Sequence, residues 1–236
     1  MHWLQTASVT AILALAVASP VVPPAAAAPA PASPTQVATS VDRADAGGGA
    51  GVAHREAARR EASLKRIERL KRSGKLGDAT RLMPMLKDSD AVVSREAEQA
   101  IWLLWGRSGN AGIDRLFRDG VGQIGRDEIR QAIETFTRVV DNLPTFAEAW
   151  NKRATARFLV GDLIGAMDDC ERALSLVPDH FGSLAGYGHI YFRLNDLDMA
   201  ILYWQRALAV NPNLHSVARS IEAAEKLLAR RGRLRT

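Results

Sequence analysis

The chain has 236 residues, 47% hydrophobic, 24% charged and 6% aromatic, enough for one compact domain of roughly 100–200 residues plus an extension but not for two large domains. Its formal net charge of +5 sits in the flanks: residues 55–81 hold ten Lys/Arg against four Asp/Glu, 226–235 hold five against none, and 82–225 hold fifteen against twenty. A negative body argues against a basic nucleic-acid groove through the core, and the single cysteine, Cys170, excludes an internal disulfide, a multi-cysteine zinc site and a CxxC redox pair.

In chain order, Ala7 to Ala18 form an apolar run, followed by Pro20-Val-Val-Pro-Pro24 and the small residues Ala25 to Ala28. This reads as a secretory signal peptide over 1–28, with a weakly charged start, and predicts export to the periplasm or cell envelope. The run is shorter than the roughly 20 residues a membrane span needs. An uncleaved membrane anchor is the second reading of 1–28, and an organelle lumen, which would call for an Arg- and Ser-rich leader, ranks third. Residues 29–53 lack large apolar side chains and end in a glycine cluster, so they predict a disordered linker.

Residues 54–112 begin with REAARREASLKRIERLKR over 55–72, a run of strong helix formers with Leu64, Ile67, Leu70 and Lys71 on one side. This predicts a basic, largely solvated helix. A hairpin follows, with Leu82, Met85 and Leu86 on one helix and Val93, Ala97, Ile101, Leu104 and Trp105 on the next, broken at Asp88-Ser89-Asp90. No period-two alternation marks a strand anywhere, so the fold class is all-α.

Self-comparison exposes a period of 34 residues. Pro144, Pro178 and Pro212 keep it, as do Ala132, Ala166 and Ala200; Val139, Ala173 and Ala207; Phe136, Cys170 and Trp204; and Gly120, Ala154 and Gly188. Small residues permit helix axes to approach to about 8 Å, bulky ones fill the holes so left, and each proline ends a second helix. The chain resembles the tetratricopeptide repeat family, most fully in residues 147–180 through Trp150, Ala154, Gly161-Asp162, Ala166, Ala173-Leu174 and Pro178. The resemblance implies a right-handed solenoid of helical hairpins over 113–214, with repeats at 113–146, 147–180 and 181–214. Residues 79–112 read as a degenerate tetratricopeptide hairpin or a HEAT-like one, and 215–236 as a capping helix with a basic tail.

Chemistry-bearing patterns are scarce. Gly120-x-Gly122-x-x-Gly125 lacks the preceding strand that a dinucleotide fingerprint requires. His180 and His189 have no metal-binding context, and Cys170 stands in a packing column. No enzyme, cofactor or metal site is predicted. The resemblance implies protein–protein recognition on a concave face lined by the first helix of each hairpin. On this chain the matching positions are Phe117, Val121, Ile124, Asn151, Thr155, Phe158, Ala185, His189 and Phe192.

Family members that grip chaperone carboxylates carry Lys, Asn, Asn, Lys and Arg where this chain has Phe117, Val121, Lys152, Gly182 and Gly186, so that clamp is absent apart from one lysine. The expected function is a non-catalytic adaptor whose apolar groove receives a peptide or helix, with Asn151 and His189 bonding its main chain. The alternative is a structural protein tethered to a membrane surface by the uncleaved N-terminal segment and the basic helix, with weak anionic-membrane contact through the basic flanks. Arg153 and Arg157, at apolar family positions, are expected to pair with Asp168 or Asp169.

Overall fold

The computed structural model describes residues 46–75 and 77–233. The predicted signal peptide and most of the linker lie outside them. The elements are α1 (Ala46–Ser73), α2 (Gly77–Leu82), a 3-10 turn (Met83–Lys87), α3 (Ala91–Trp105), α4 (Ala111–Gly125), α5 (Ile129–Asn142), α6 (Ala147–Val160), α7 (Leu163–Leu176), α8 (Phe181–Arg193), α9 (Leu197–Val210) and α10 (His215–Arg233). The described residues contain no strand, and none of their helices is long and apolar enough to cross a membrane.

Three antiparallel pairs, α4–α5, α6–α7 and α8–α9, form the solenoid, and the backbone repeats with the sequence. Asp127, Gly161 and Asn195, spaced by 34, all take positive φ (62°, 85° and 66°) where the first helix of each pair ends. Asp162 and Asp196 then cap α7 and α9, accepting from Gly165 N and Met199 N. Helices α5, α7 and α9 end at Asn142, Leu176 and Val210, each two residues before its proline.

Size matching holds each pair together. A Cβ on Gly120 would stand 2.8 Å from the Phe136 ring, and one on Gly188 would stand 2.7 Å from Trp204 Cγ. The middle repeat replaces glycine plus aromatic with Ala154 plus Cys170, both buried in one cluster. Arg153 crosses the same pair, its guanidinium forked onto Asp169 (Nε to Oδ2 2.9 Å, Nη2 to Oδ1 2.7 Å) and donating to Thr137 Oγ1 of α5 at 3.1 Å. Arg157 Nη1 lies 3.1 Å from the same carboxylate, so the expected pairing is with Asp169 and not Asp168.

The N-terminal region departs from expectation twice. The stretch read as linker through residue 53 is helical from Ala46, as the start of α1. The predicted first helix of the following hairpin is broken at Pro84, which stands in the 3-10 turn, so Leu82 ends α2 and Leu86 belongs to the turn. Ile67 and Leu70 of α1 seal Leu82, Leu86, Ile101 and Leu104 into a core. That core is continuous with Phe181, Leu184, Trp204 and Val217 of the third repeat and α10. Asn213, between α9 and α10, donates to Leu86 O at 3.1 Å across 127 residues of sequence. The unit α1–α3 thus enters the chain before the first repeat but seats on the third.

Candidate functional site

The seat of α1–α3 is the start of α8. Trp105 lies flat on His180, with ring centroids 4.2 Å apart and planes at 16°, while Trp102 meets Phe181 edge-on at 4.8 Å. Gly182 makes room: a Cβ there would fall 2.7 Å from Trp102 Cη2. Across the groove, Lys152 of α6 places its ammonium 5.4 Å from the Trp102 ring centroid, a cation–π distance. Trp102 therefore bridges two of the three helices expected to line the concave face.

Beneath these rings is a buried polar network. His180 caps α8 by accepting from Ser183 N at Nδ1 (3.2 Å), which puts its proton on Nε2, 3.0 Å from Glu148 Oε2 though not aligned for a straight hydrogen bond. Asn151 Nδ2 donates to Glu148 at 3.0 Å, and Ser183 Oγ donates to Asn151 Oδ1 at 3.1 Å. Burial, the largest influence on Glu148, pushes its carboxyl up, but Lys152, His180 and Asn151 together outweigh it and hold it below the usual carboxylate range. Ser183, His180 and Glu148 have the composition of a nucleophile, base and acid. They are sealed beneath Trp102 and Trp105 with at most 3% of their surface exposed, so the set is structural.

Beside Trp102 a small cleft of about 50 Å³ lies between α6 and α8, bounded by Asn151, Thr155, Phe158, Gly186 and His189. Of the predicted groove residues, Asn151, Thr155, Phe158 and His189 come together here. Ala185 lines the same cleft, and it, Asn151 and Phe158 are buried. Phe117 and Ile124 do not join them: both are buried in the first repeat, where Phe117 meets Phe136 and Phe146 at 5.7 and 4.9 Å, and Val121 packs partly buried onto the same cluster. Phe192 leans on Trp204 at 5.7 Å. Phe117 and Ile124 turn inward onto the first-repeat core, and Phe192 turns toward Trp204.

The Asn151 amide, expected to meet a ligand's main chain, donates to Glu148 and accepts from Ser183 within the protein. Thr155 Oγ1 likewise donates to Asn151 O. Besides Lys152, the remaining polar group is His189, whose Nε2 is buried without a partner; burial lowers it to about 4, leaving the ring neutral at pH 7. Cys170 also faces the cleft, but burial pushes its thiol far above the range of a reactive thiolate. Among the described residues no group of three His, Cys, Asp or Glu is placed to hold a metal. The string Gly120 to Gly125 lies inside α4 and makes no phosphate loop.

The element missing from the sequence reading is Trp102. It stands 34 residues before Phe136, but nothing local tells that α3 reaches the third repeat. A signal was present in Gly182 and Gly186, two bare positions a turn apart on one concave helix.

Paired helices with matched small and large residues and a lined concave face define a helical-repeat protein. The tetratricopeptide repeat family profile matches residues 182–214. A TPR repeat-containing protein of Rhizobium etli is 30% identical over 146 residues, covering 61% of this chain and 71% of that one, and the chain belongs to the tetratricopeptide repeat family. Tetratricopeptide repeat protein 36 of Bos taurus is 47% identical over 49 residues, 21% of this chain and 26% of the relative. The Sgt2 TPR domain of Aspergillus fumigatus superposes with a TM-score of 0.50 at 21% identity, over 52% of this chain and 83% of that one, and shares the fold.

Proposed function

We propose that the chain is a non-catalytic adaptor that receives an apolar segment of a partner protein in the cleft between α6 and α8. The observation that carries this reading is the cleft's lining: Phe158, Ala154, Ile190 and the faces of Gly182 and Gly186, with Asn151 and Thr155 already engaged internally. Such a wall rewards burial of an uncharged side chain, since its one charged group, Lys152, is already paired with Glu148. Catalysis gains no support from it, because the Ser183, His180 and Glu148 cluster is sealed away from the opening.

The test is photo-cross-linking in cells, with a photoreactive residue at Thr155 and a control at the exposed Leu202. A discrete adduct from 155 alone, lost with Phe158→Ala and His189→Ala, supports the groove; equal adducts from both sites refute it. The apolar run before residue 29 supports export to the periplasm or envelope. Recovery of a chain shortened by about 28 residues in the periplasmic fraction supports export, and an uncut chain in the cytosol refutes it.

A further inference from the structure

Two helices of the concave face already carry an occupant. Trp102 is half-buried between Lys152 of α6 and Phe181 of α8, and Trp105 covers His180. Both rings come from one face of α3, three residues apart, and meet α8 at its first turn, where Gly182 has no side chain. The connection from α3 to the first repeat is only Gly106 to Asn110, with Gly109 at φ 81°. The occupant is thus held to the groove through a short tether, as a ligand in cis.

We infer that the first turn of α8, floored by Gly182 and walled by Lys152, Phe181 and His180, is a recognition seat for a helix presenting two aromatic side chains at i and i+3, and that Trp102 and Trp105 fill it in the resting chain. This deepens the groove reading and rests on it: a partner helix of that pattern occupies the seat and reaches the open cleft beside Phe158. The chemistry of the occupant states the chemistry of the partner. A flat ring is needed over the His180 imidazole, and a second ring must slide over a glycine backbone beneath an ammonium. A tethered occupant competes at an effective concentration in the millimolar range, so a free helix gains access only when it binds better or when α3 is released.

The experiment uses the full chain with a protease site built into 106–110, intact or cleaved, and a fluorescein-labelled synthetic peptide of residues 88–108 as the probe. Cleavage should leave the melting of the repeats in place and tighten peptide binding at least tenfold. The same peptide with Trp102→Ala and Trp105→Ala should not bind. Gly182→Leu in the cleaved chain should abolish binding while circular dichroism and cross-linking from position 155 persist.

The inference is overturned if cleavage unfolds the chain, since α1–α3 is then inseparable core. It also falls if both peptides bind alike or neither binds, or if the Gly182→Leu chain binds as well as its parent. Loss of the 155 adduct with peptide binding intact rejects the groove reading and leaves the seat. Peptide failure with the adduct intact does the opposite.

Discussion

Trp204 of α9 rests its indole on the bare backbone of Gly188 in α8, close enough that a Cβ there would stand 2.7 Å from Trp204 Cγ. The pair recurs as Gly120 with Phe136, and the middle repeat solves the same crossing with Ala154 and Cys170. Gly188→Ala should therefore destabilise the chain by about 2 kcal/mol, the overpacking cost exceeding the gain in helix propensity. Gly188→Ala with Trp204→Cys, which rebuilds the middle repeat's solution, should lose less than the sum of the two single changes. Urea unfolding of the four proteins measures the coupling, and strict additivity would contradict size matching.

Asp169 is the hub of the second hairpin, 1% exposed and shared by Arg153 and Arg157. Asp169→Ala strands two guanidinium groups and should cost about 3 kcal/mol or more. Arg153→Met should cost less, because Arg157 still faces the carboxylate and the methionine keeps the apolar volume that the family prefers there. Melting temperatures in the reverse order would show that Thr137 and Trp150, which Arg153 also meets, dominate its contribution.

Acid should weaken the fold in two windows. His189 is lowered from 6.5 to about 4, so the unfolded chain binds its proton first, and stability falls as pH drops from about 6.5 before levelling near 4. Glu148 is held below its ordinary 4.5, so the stability it contributes is complete above that value and disappears as pH falls further. Urea midpoints at pH 7.5, 5 and 3.5 test both. His189→Gln should flatten the upper window, and Glu148→Gln the lower one at the expense of the Lys152 pairing.

Trp105→Ala should remove the stack on His180 and open a cavity between α3 and α8, costing about 3 kcal/mol. Hydrogen exchange should then rise in α1–α3 more than in α4–α7, because the seat is what ties the N-terminal unit to the third repeat. A uniform rise along the chain would show that the unit and the repeats unfold as one block.

The repeat itself was legible because its determinants are local or spaced by 34. A proline two residues beyond each second helix, a small residue at each crossing and Asp or Gly at each turn act within one hairpin, so the sequence carries them in the open. The groove was half legible. Asn151, Thr155, Phe158 and His189 gather at the α6–α8 cleft, whereas Phe117 and Ile124 follow the same period and pack onto Phe136, Phe146 and their neighbours in the first-repeat core.

What the sequence by itself determined is the helical class, the tetratricopeptide period and the pairing of small with large side chains, because each is fixed by neighbours a few residues or one repeat away. What only the tertiary structure decided is that α1–α3 crosses to the third repeat, sets Trp102 over Gly182 and seals the His180–Glu148 pair. Those contacts join residues about 80 positions apart that share no period, and their gain is burial of aromatic surface, which has no preferred sequence separation.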